Sequence, residues 1–147
     1  MTISQTDSES LLEQFSAMPA EKKRGRLKIY FGYAAGVGKT SAMLKDAHDA
    51  QKDGIDVVAG YIEPHARPET IALLEGLENL PPMEINYKGV ALKEFDLDRA
   101  IRRRPELILV DELAHTNVQG CRHKKRYQDV EELLRAGIDV STTVNVQ

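Results

Sequence analysis

A glycine-rich segment behind an apolar run is the feature that most limits how this chain can fold. The run Leu27–Phe31 has the composition of a buried strand, and Gly36-Val37-Gly38-Lys39-Thr40 follows it within a few residues. The next segment, from Lys39 to about Lys52, has a helical pattern and ends at Gly54. A strand, a glycine loop and a helix in this order are typical of α/β folds with a parallel sheet.

The same loop has the chemistry of a phosphate-binding site of the Walker A type. Glycines let successive backbone N–H groups turn toward one anion, and the helix that follows presents unpaired donors and the positive end of its dipole. Lys39 can reach terminal phosphates, and the Thr40 hydroxyl can ligate Mg²⁺. The sequence therefore predicts that ATP with Mg²⁺ binds through seven consecutive residues, which are Ala34, Ala35, Gly36, Val37, Gly38, Lys39 and Thr40.

One position departs from the usual pattern G-x-x-x-x-G-K-[ST]. Tyr33 stands five residues before Gly38, where the pattern has glycine, and Gly32 lies one place too early. A side chain of this size would narrow the mouth of the loop. The alternative interpretation is a plain turn that binds nothing, and the flanking strand and helix favour phosphate binding over it.

Apolar runs alternate with helix-like segments along the rest of the chain, which predicts a mostly parallel sheet of about five strands. The predicted strands are Leu27–Phe31, Ile55–Ile62, Met83–Tyr87, Leu107–Val110 and Ile138–Val144. The predicted helices are Lys39 to about Lys52, Pro68 to about Leu77, Leu97–Arg103 and Arg126–Arg135. The expected fold class is a P-loop NTPase-like three-layer α/β sandwich.

Two acids, Asp111 and Glu112, end the apolar run Leu107–Val110. In doubly wound sheets, ligands bind at the carboxyl ends of the strands, so these acids are expected beside the glycine loop as a Walker B counterpart. Asp111 suits a role in holding Mg²⁺, and Glu112 suits a role in orienting or deprotonating an attacking water. Glu63, after the second predicted strand, is an alternative to Glu112 as the catalytic carboxylate.

Two loops offer further charged groups. The loop after the second strand carries His65 and Arg67, and Arg67 could meet phosphate, although an ordinary loop explains these residues equally well. A second, cationic loop offers Arg122, Lys125 or Arg126 as a contact to the terminal phosphate or to a neighbouring subunit. A solvated charge run is the commoner outcome for such a loop.

Composition excludes several classes of function. The chain has 147 residues, 41% of them hydrophobic and 29% charged, with a net charge of -3, which indicates one globular domain that does not bind nucleic acid. A single cysteine and the lack of a long apolar run favour a cytoplasmic domain without its own membrane span. Residues 1–25 are predicted to be an N-terminal arm and linker, and residues 26–147 the nucleotide-binding domain.

Taken together, these motifs resemble the N-terminal cytoplasmic domain of the KdpD family of sensor histidine kinases, from Gly25 to Gln147. The segments that carry the resemblance include Gly25-Arg26-Leu27-Lys28, Ala35-Gly36-Val37-Gly38-Lys39-Thr40, Asp111-Glu112-Leu113-Ala114-His115 and Gln128-Asp129-Val130-Glu131-Glu132-Leu133-Leu134.

The resemblance implies a regulatory ATP-binding module of a potassium-responsive two-component system. The parent would be a longer kinase in the bacterial inner membrane, with further domains and a response regulator as partners, and this chain a fragment of it.

Three functions remain open on the sequence. The first is the regulatory domain, which would modulate the kinase and phosphatase balance of its parent, would be at most a slow ATPase and could form a homodimer. The second is a stand-alone small P-loop enzyme, namely an ATPase, a small-molecule kinase or a nucleotidyl or adenosyl transferase. The third is an interaction module that has lost its nucleotide.

Overall fold

The computed structural model describes residues 24–32, 38–63 and 67–145. The strands are β1 (Leu27–Gly32), β2 (Val57–Tyr61), β3 (Glu78–Asn79), β4 (Met83–Tyr87), β5 (Val90–Glu94), β6 (Leu107–Val110) and β7 (Asp139–Asn145). The helices are α1 (Lys39–Lys52), α2 (Pro68–Leu73), α3 (Leu97–Arg103) and α4 (Arg126–Arg135). Several predictions lie outside the described residues, namely those for residues 1–23 of the N-terminal arm, for Tyr33, Ala34, Ala35, Gly36 and Val37, and for His65.

Five strands form one sheet in the order β1-β7-β6-β2-β3, and every neighbouring pair is parallel. The prediction of an α/β domain with a mostly parallel sheet is therefore confirmed. In this order, β7 lies between β1, which precedes the glycine loop, and β6, which ends at the acids. The carboxyl ends of these strands meet at one edge of the sheet.

The run Met83–Tyr87 is a strand, but its predicted place in the parallel sheet was wrong. It pairs antiparallel with β5 as a separate two-stranded hairpin. Lys88 and Gly89 connect the two strands with φ of 50° and 81°, and two positive φ angles suit the right-handed twist of a tight hairpin. The fifth strand of the main sheet is the two-residue β3, and α2 ends at Leu73 rather than near Leu77.

Helices cover both faces of the sheet. On one face, Leu109 of β6 packs with residues of α1 and β2, namely Met43, Leu44, Ala47, Val57 and Ala59. On the other face, Ile108 and Val110 pack with residues of α3, α4 and β7, including Leu97, Ala100, Val130, Leu133, Leu134, Val140 and Val144. Because side chains alternate along a strand, β6 supplies both cores.

The interior strand β7, which lies between β1 and β6, is unusually polar for its position. A strand buried on both faces of a parallel sheet normally has a nearly continuous apolar sequence. Here Ser141, Thr142 and Thr143 are buried in the middle of β7, with Thr142 and Thr143 at most 1% exposed. Such polar groups require partners, and the partners of Thr143 lie at the carboxyl edge of the sheet.

No helix within the described part of the chain is long and apolar enough to cross a bilayer.

Candidate functional site

Asp111 is the centre of the hydrogen-bonding arrangement at the carboxyl edge. Its carboxylate, only 2% exposed, accepts hydrogen bonds from Thr143 Oγ1 at 2.5 Å and from the Glu63 backbone N–H at 3.0 Å. It also accepts from Thr40 Oγ1, at 3.3 and 3.4 Å to its two oxygens. These donors come from α1, from the segment after β2 and from β7, so one carboxylate joins three parts of the fold. The predicted proximity of Thr40 and Asp111 is observed.

Lys39 begins α1 beside the end of β1. Its side chain is only 7% exposed, and it lies across Gly32: a Cβ at Gly32 would be 2.6 Å from both Cγ and Cδ of Lys39. Glycine at position 32 is therefore what leaves room for the lysine stem. Gly38, just before the helix, has φ of 77°, a left-handed conformation that glycine adopts without strain.

Glu63 and Glu112 form a carboxyl pair next to Asp111, and we call these three residues the acidic edge. The pKa of Glu112 is raised, first by burial and then by the negative charges of Glu63 and Asp111 and by a hydrogen bond with Glu63. Glu112 also has φ of 60°, a costly conformation for a residue with a side chain. Its backbone N–H donates to Thr143 Oγ1 at 3.0 Å, which helps to hold this conformation.

Replacing Glu112 with Gln is expected to stabilise the protein at neutral pH. The pKa of Glu112 is higher in the folded protein than in the unfolded chain. The stability that this carboxyl contributes is therefore fully present at pH values below the unfolded pKa, and it is lost as the pH rises through the folded pKa. The glutamine variant keeps a neutral group at every pH. At pH 7, its free energy of unfolding should exceed that of wild type by up to about 1 kcal/mol, because solvent partly screens the half-exposed carboxyl. Near pH 4 the difference should vanish.

Urea unfolding of both proteins at pH 4 and pH 7 measures this difference. Glu75→Gln is the matched control, because Glu75 is exposed and lies outside the carboxyl pair, so this substitution should leave the stability close to that of wild type. A Glu112→Gln variant that is less stable than wild type at pH 7 would contradict the assigned carboxyl pair.

Arg126 supports the acidic edge from inside the protein. The guanidinium is completely buried, and its Nη1 donates to the backbone carbonyl of Asp111 at 3.0 Å while Nη2 donates to Glu94 Oε1 at 3.0 Å. The ring of Tyr61 lies 4.3 Å from the guanidinium carbon, as in a cation–π contact. Arg126 is therefore an interior residue that connects α4 to the ends of β2 and β6.

Glu94, the partner of Arg126, connects the hairpin to the sheet. Its carboxylate is 1% exposed and also accepts hydrogen bonds from the Val118 N–H at 2.6 Å and from His115 Nε2 at 2.9 Å. Burial opposes the charge, but the hydrogen bonds from His115 and Val118 and the nearby positive charges outweigh it and lower the pKa of Glu94. The hairpin is thereby attached to the residues behind Asp111.

The remaining predicted site residues lie elsewhere or stay predictions. Arg122 pairs with Asp98 at 2.6 Å and with Glu132, so a phosphate contact would require it to leave these carboxylates. Arg67 is exposed just before α2. The sequence analysis missed Thr143 and the structural role of Arg126. A polar run, Ser141-Thr142-Thr143, inside a predicted buried strand was the available signal for the first of these.

The fold and this edge define an α/β domain in which a lysine and a threonine at the start of a helix lie beside strand-terminal acids. The family model described as "KdpD: Osmosensitive K+ channel His kinase sensor domain" matches residues 23–147. The chain belongs to the KdpD sensor-domain family, as its sequence resemblance indicated.

Curated relatives named "Sensor protein KdpD" are similar over most of the chain. The protein of Clostridium acetobutylicum is 59% identical over 141 residues, which are 96% of this chain and 16% of the relative. The protein of Escherichia coli is 56% identical over 141 residues, which are 96% of this chain and 15% of the relative. A relative in Mycobacterium tuberculosis is 53% identical over 125 residues, or 85% of this chain and 14% of the relative. The chain thus spans about a sixth of the length of these relatives.

Proposed function

We propose that this chain is a regulatory ATP-binding domain of a potassium-responsive sensor histidine kinase, built as a P-loop NTPase-like domain over residues 26–147. The observation that carries the proposal is the approach of Thr40 Oγ1 to the Asp111 carboxylate at 3.3 Å, with Lys39 beside them. A hydroxyl at the start of a helix and a strand-terminal carboxylate are the oxygen ligands that accompany Mg²⁺ at nucleotide phosphates.

The residues present fit Mg²⁺ and a triphosphate. Neighbouring ligands of an octahedral Mg²⁺ at 2.0–2.1 Å lie about 3 Å apart, which is close to the separation of Thr40 Oγ1 and Asp111 Oδ1. Lys39 would neutralise phosphate charge, and the backbone N–H groups from Ala34 to Gly38 would cradle the phosphates. The bound Mg²⁺ would supply charge neutralisation of the last two phosphates.

Glu112 is the proposed catalytic carboxylate, with Glu63 as the alternative. A general base works best with a pKa near the working pH, and the raised pKa of Glu112 moves it in that direction. The carboxyl pair allows either residue to hold the proton that an attacking water releases. We propose that hydrolysis is slow, because a sensor domain needs to hold ATP rather than consume it. Arg122 is a further proposed phosphate contact, which it would make only after leaving Asp98 and Glu132.

Regulation would follow from differential binding. If ATP binds one conformation of the parent kinase better than another, occupancy of this domain shifts the balance between kinase and phosphatase activity. The proposed partners are the other domains of the parent, its response regulator through the parent, and a second copy of the chain. The proposed location is the cytoplasmic side of the bacterial inner membrane.

Lys39→Ala is expected to weaken Mg-ATP binding about tenfold or more, because it removes a charge-assisted hydrogen bond. Isothermal titration of the chain with ATP, ADP and GTP, each with and without Mg²⁺, measures the affinity and the base preference. Lys45→Ala is the matched control, since Lys45 is exposed on the same helix and should leave the affinity unchanged. Equal titration curves for wild type and Lys39→Ala would reject the assignment.

A further inference from the structure

A cavity opens where the short edge strand β3 stops. β3 ends at Asn79, whereas its neighbour β2 continues to Tyr61. The chain then passes through Pro81 and Pro82, which have no backbone N–H to donate to a neighbouring strand. β5 brings Lys93 to the gap that is left. The result is a half-open cavity of about 260 Å³ between the ends of β2 and β3 and the hairpin, which we call the hairpin cleft.

Gly60 forms part of the inner wall of the hairpin cleft. The pairing of β2 with β6 shifts between Ala59 and Tyr61, so Gly60 is an extra residue, as in a β-bulge. A Cβ at position 60 would lie 2.7 Å from Ile108 Cδ1, so the close packing there requires glycine. Bulges are common beside binding sites because they end regular pairing and redirect side chains. Tyr61 and Ile62, which follow the bulge, also line the cleft.

The lining of the cleft is mostly apolar. Ile62, Leu74 and Leu80 contribute carbon surface, and Asn79 contributes a side-chain amide. Among the described residues that line the cleft, Lys93 alone carries a charge. Small-molecule sites typically combine an apolar wall with a few polar or charged groups that fix the orientation of the ligand. This lining therefore suits an organic molecule with one negative group.

The ammonium group of Lys93 is available to such a ligand. Lys93 is exposed, and its side chain has neither a hydrogen bond nor an ion pair within the part of the chain that the structure describes. Its cross-strand neighbour is Glu84, and the two side chains form no ion pair. Glu63 lies one residue beyond Ile62, but its carboxyl group hydrogen bonds with Glu112 at the acidic edge. Lys93 thus gives the cleft its positive charge.

The size and charge of the cleft limit the class of ligand. An apolar cavity of about 150 Å³ is large enough for benzene. A cavity of about 260 Å³ therefore takes a body of ring size with one substituent. A doubly charged phosphate usually requires several donors, such as backbone N–H groups or the fork of an arginine, and an amine would meet the like charge of Lys93. A carboxylate is the substituent that a single ammonium group suits.

We propose that the hairpin cleft binds a small organic monocarboxylate, with the carboxylate on the Lys93 ammonium group and the apolar body against Ile62, Leu74 and Leu80. The ligand is an effector and undergoes no reaction in the cleft. This site consists of other residues than the proposed nucleotide site, so its occupancy does not require ATP.

A ligand in the cleft would contact the sheet and the hairpin together. Lys93 precedes Glu94, the hairpin residue that accepts a hydrogen bond from the buried Arg126 at 3.0 Å. Arg126 also donates to the backbone carbonyl of Asp111. Tyr61, which lines the cleft, has its ring 4.3 Å from the guanidinium carbon of the same arginine. The effector would therefore act on the acidic edge through the attachment of the hairpin.

The test is a titration of the ¹⁵N-labelled chain, without nucleotide, followed by two-dimensional NMR. Benzoate is the probe, and benzamide is its neutral counterpart of nearly the same shape. Benzoate should bind with a Kd of about 1 mM, an ordinary affinity for a ligand of about ten non-hydrogen atoms. The amide signals that shift should be those of lining residues, including Gly60, Ile62, Leu80 and Lys93. Benzamide should bind at least about threefold more weakly, because it lacks the charge.

Lys93→Gln should weaken benzoate binding about threefold to tenfold and leave benzamide binding unchanged, since it removes only the charge. Lys88→Gln is the matched control, because Lys88 is exposed on the same hairpin outside the cleft and should leave both affinities unchanged. Four results would each overturn the carboxylate site: no saturable shift up to about 10 mM benzoate, shifts only at residues away from the cleft, equal binding of benzamide, or an unchanged benzoate affinity in Lys93→Gln. None of them would bear on the proposed binding of ATP.

Discussion

Arg126→Leu is expected to lower the free energy of unfolding by about 3–5 kcal/mol, one of the largest stability losses available to a single substitution in this chain. The substitution leaves Glu94, which is 1% exposed, without its buried cation, and the remaining charge is costly in the interior. It also removes the donor to the Asp111 carbonyl. Urea unfolding followed by circular dichroism measures the loss.

Two further variants show whether the loss comes from the buried charge. Arg135→Leu breaks an exposed pair with Glu131 on the same helix and should cost less than about 1 kcal/mol. The double variant Arg126→Leu, Glu94→Gln should recover part of the stability, since it removes the uncompensated charge. A single Arg126→Leu variant within 1 kcal/mol of wild type would show that the buried pair contributes little.

The position of Arg126 has a functional consequence. It contacts the backbone of Asp111 on one side and Glu94 of the hairpin on the other, with the Tyr61 ring over its face. A movement of the hairpin would therefore reach the acidic edge through one rigid guanidinium. Under the proposed function, this chain of contacts would connect the nucleotide state of the acidic edge to the hairpin.

Local signals in the sequence were sufficient for several elements. The bounds Lys39–Lys52, Leu107–Val110 and Arg126–Arg135 were predicted as the structure has them, because apolar periodicity and the residues at their ends are local properties. The neighbourhood of Thr40 and Asp111 was also predictable, since parallel strands bring their carboxyl ends to one edge.

What escaped prediction depends on contacts between distant residues. Glu94 and Arg126 are 32 positions apart, and neither local sequence indicates that the two are buried together. The hairpin was missed because the run Val90–Glu94 has three apolar residues followed by two charged ones, without the alternation typical of a half-buried strand, and its turn at Lys88 lacks the common Asn-Gly pair. The two-residue β3 is too short to leave a pattern, and its pairing with β2 depends on tertiary packing.

Asp111→Ala is expected to abolish the dependence of ATP affinity on Mg²⁺. Under the proposed function, Asp111 is the carboxylate that holds the metal. Its loss should therefore weaken ATP binding in the presence of Mg²⁺ by at least about tenfold. The substitution also leaves the Glu63 N–H and two threonine hydroxyls without their acceptor, which should cost about 1–3 kcal/mol of stability. Titrations with ATP in EDTA and in Mg²⁺ give the first effect, and urea unfolding gives the second.

Asp129→Ala separates the two effects. Asp129 is also a buried acid, 4% exposed, but its carboxylate accepts from Asn117 at 2.9 Å instead of from the donors that surround Asp111. Its alanine variant should therefore keep the response to Mg²⁺, whatever stability it loses. If Asp111→Ala kept that response as well, Asp111 would be a structural hub of the carboxyl edge and the metal would need other ligands. If both variants lost it, instability rather than metal binding would explain the result.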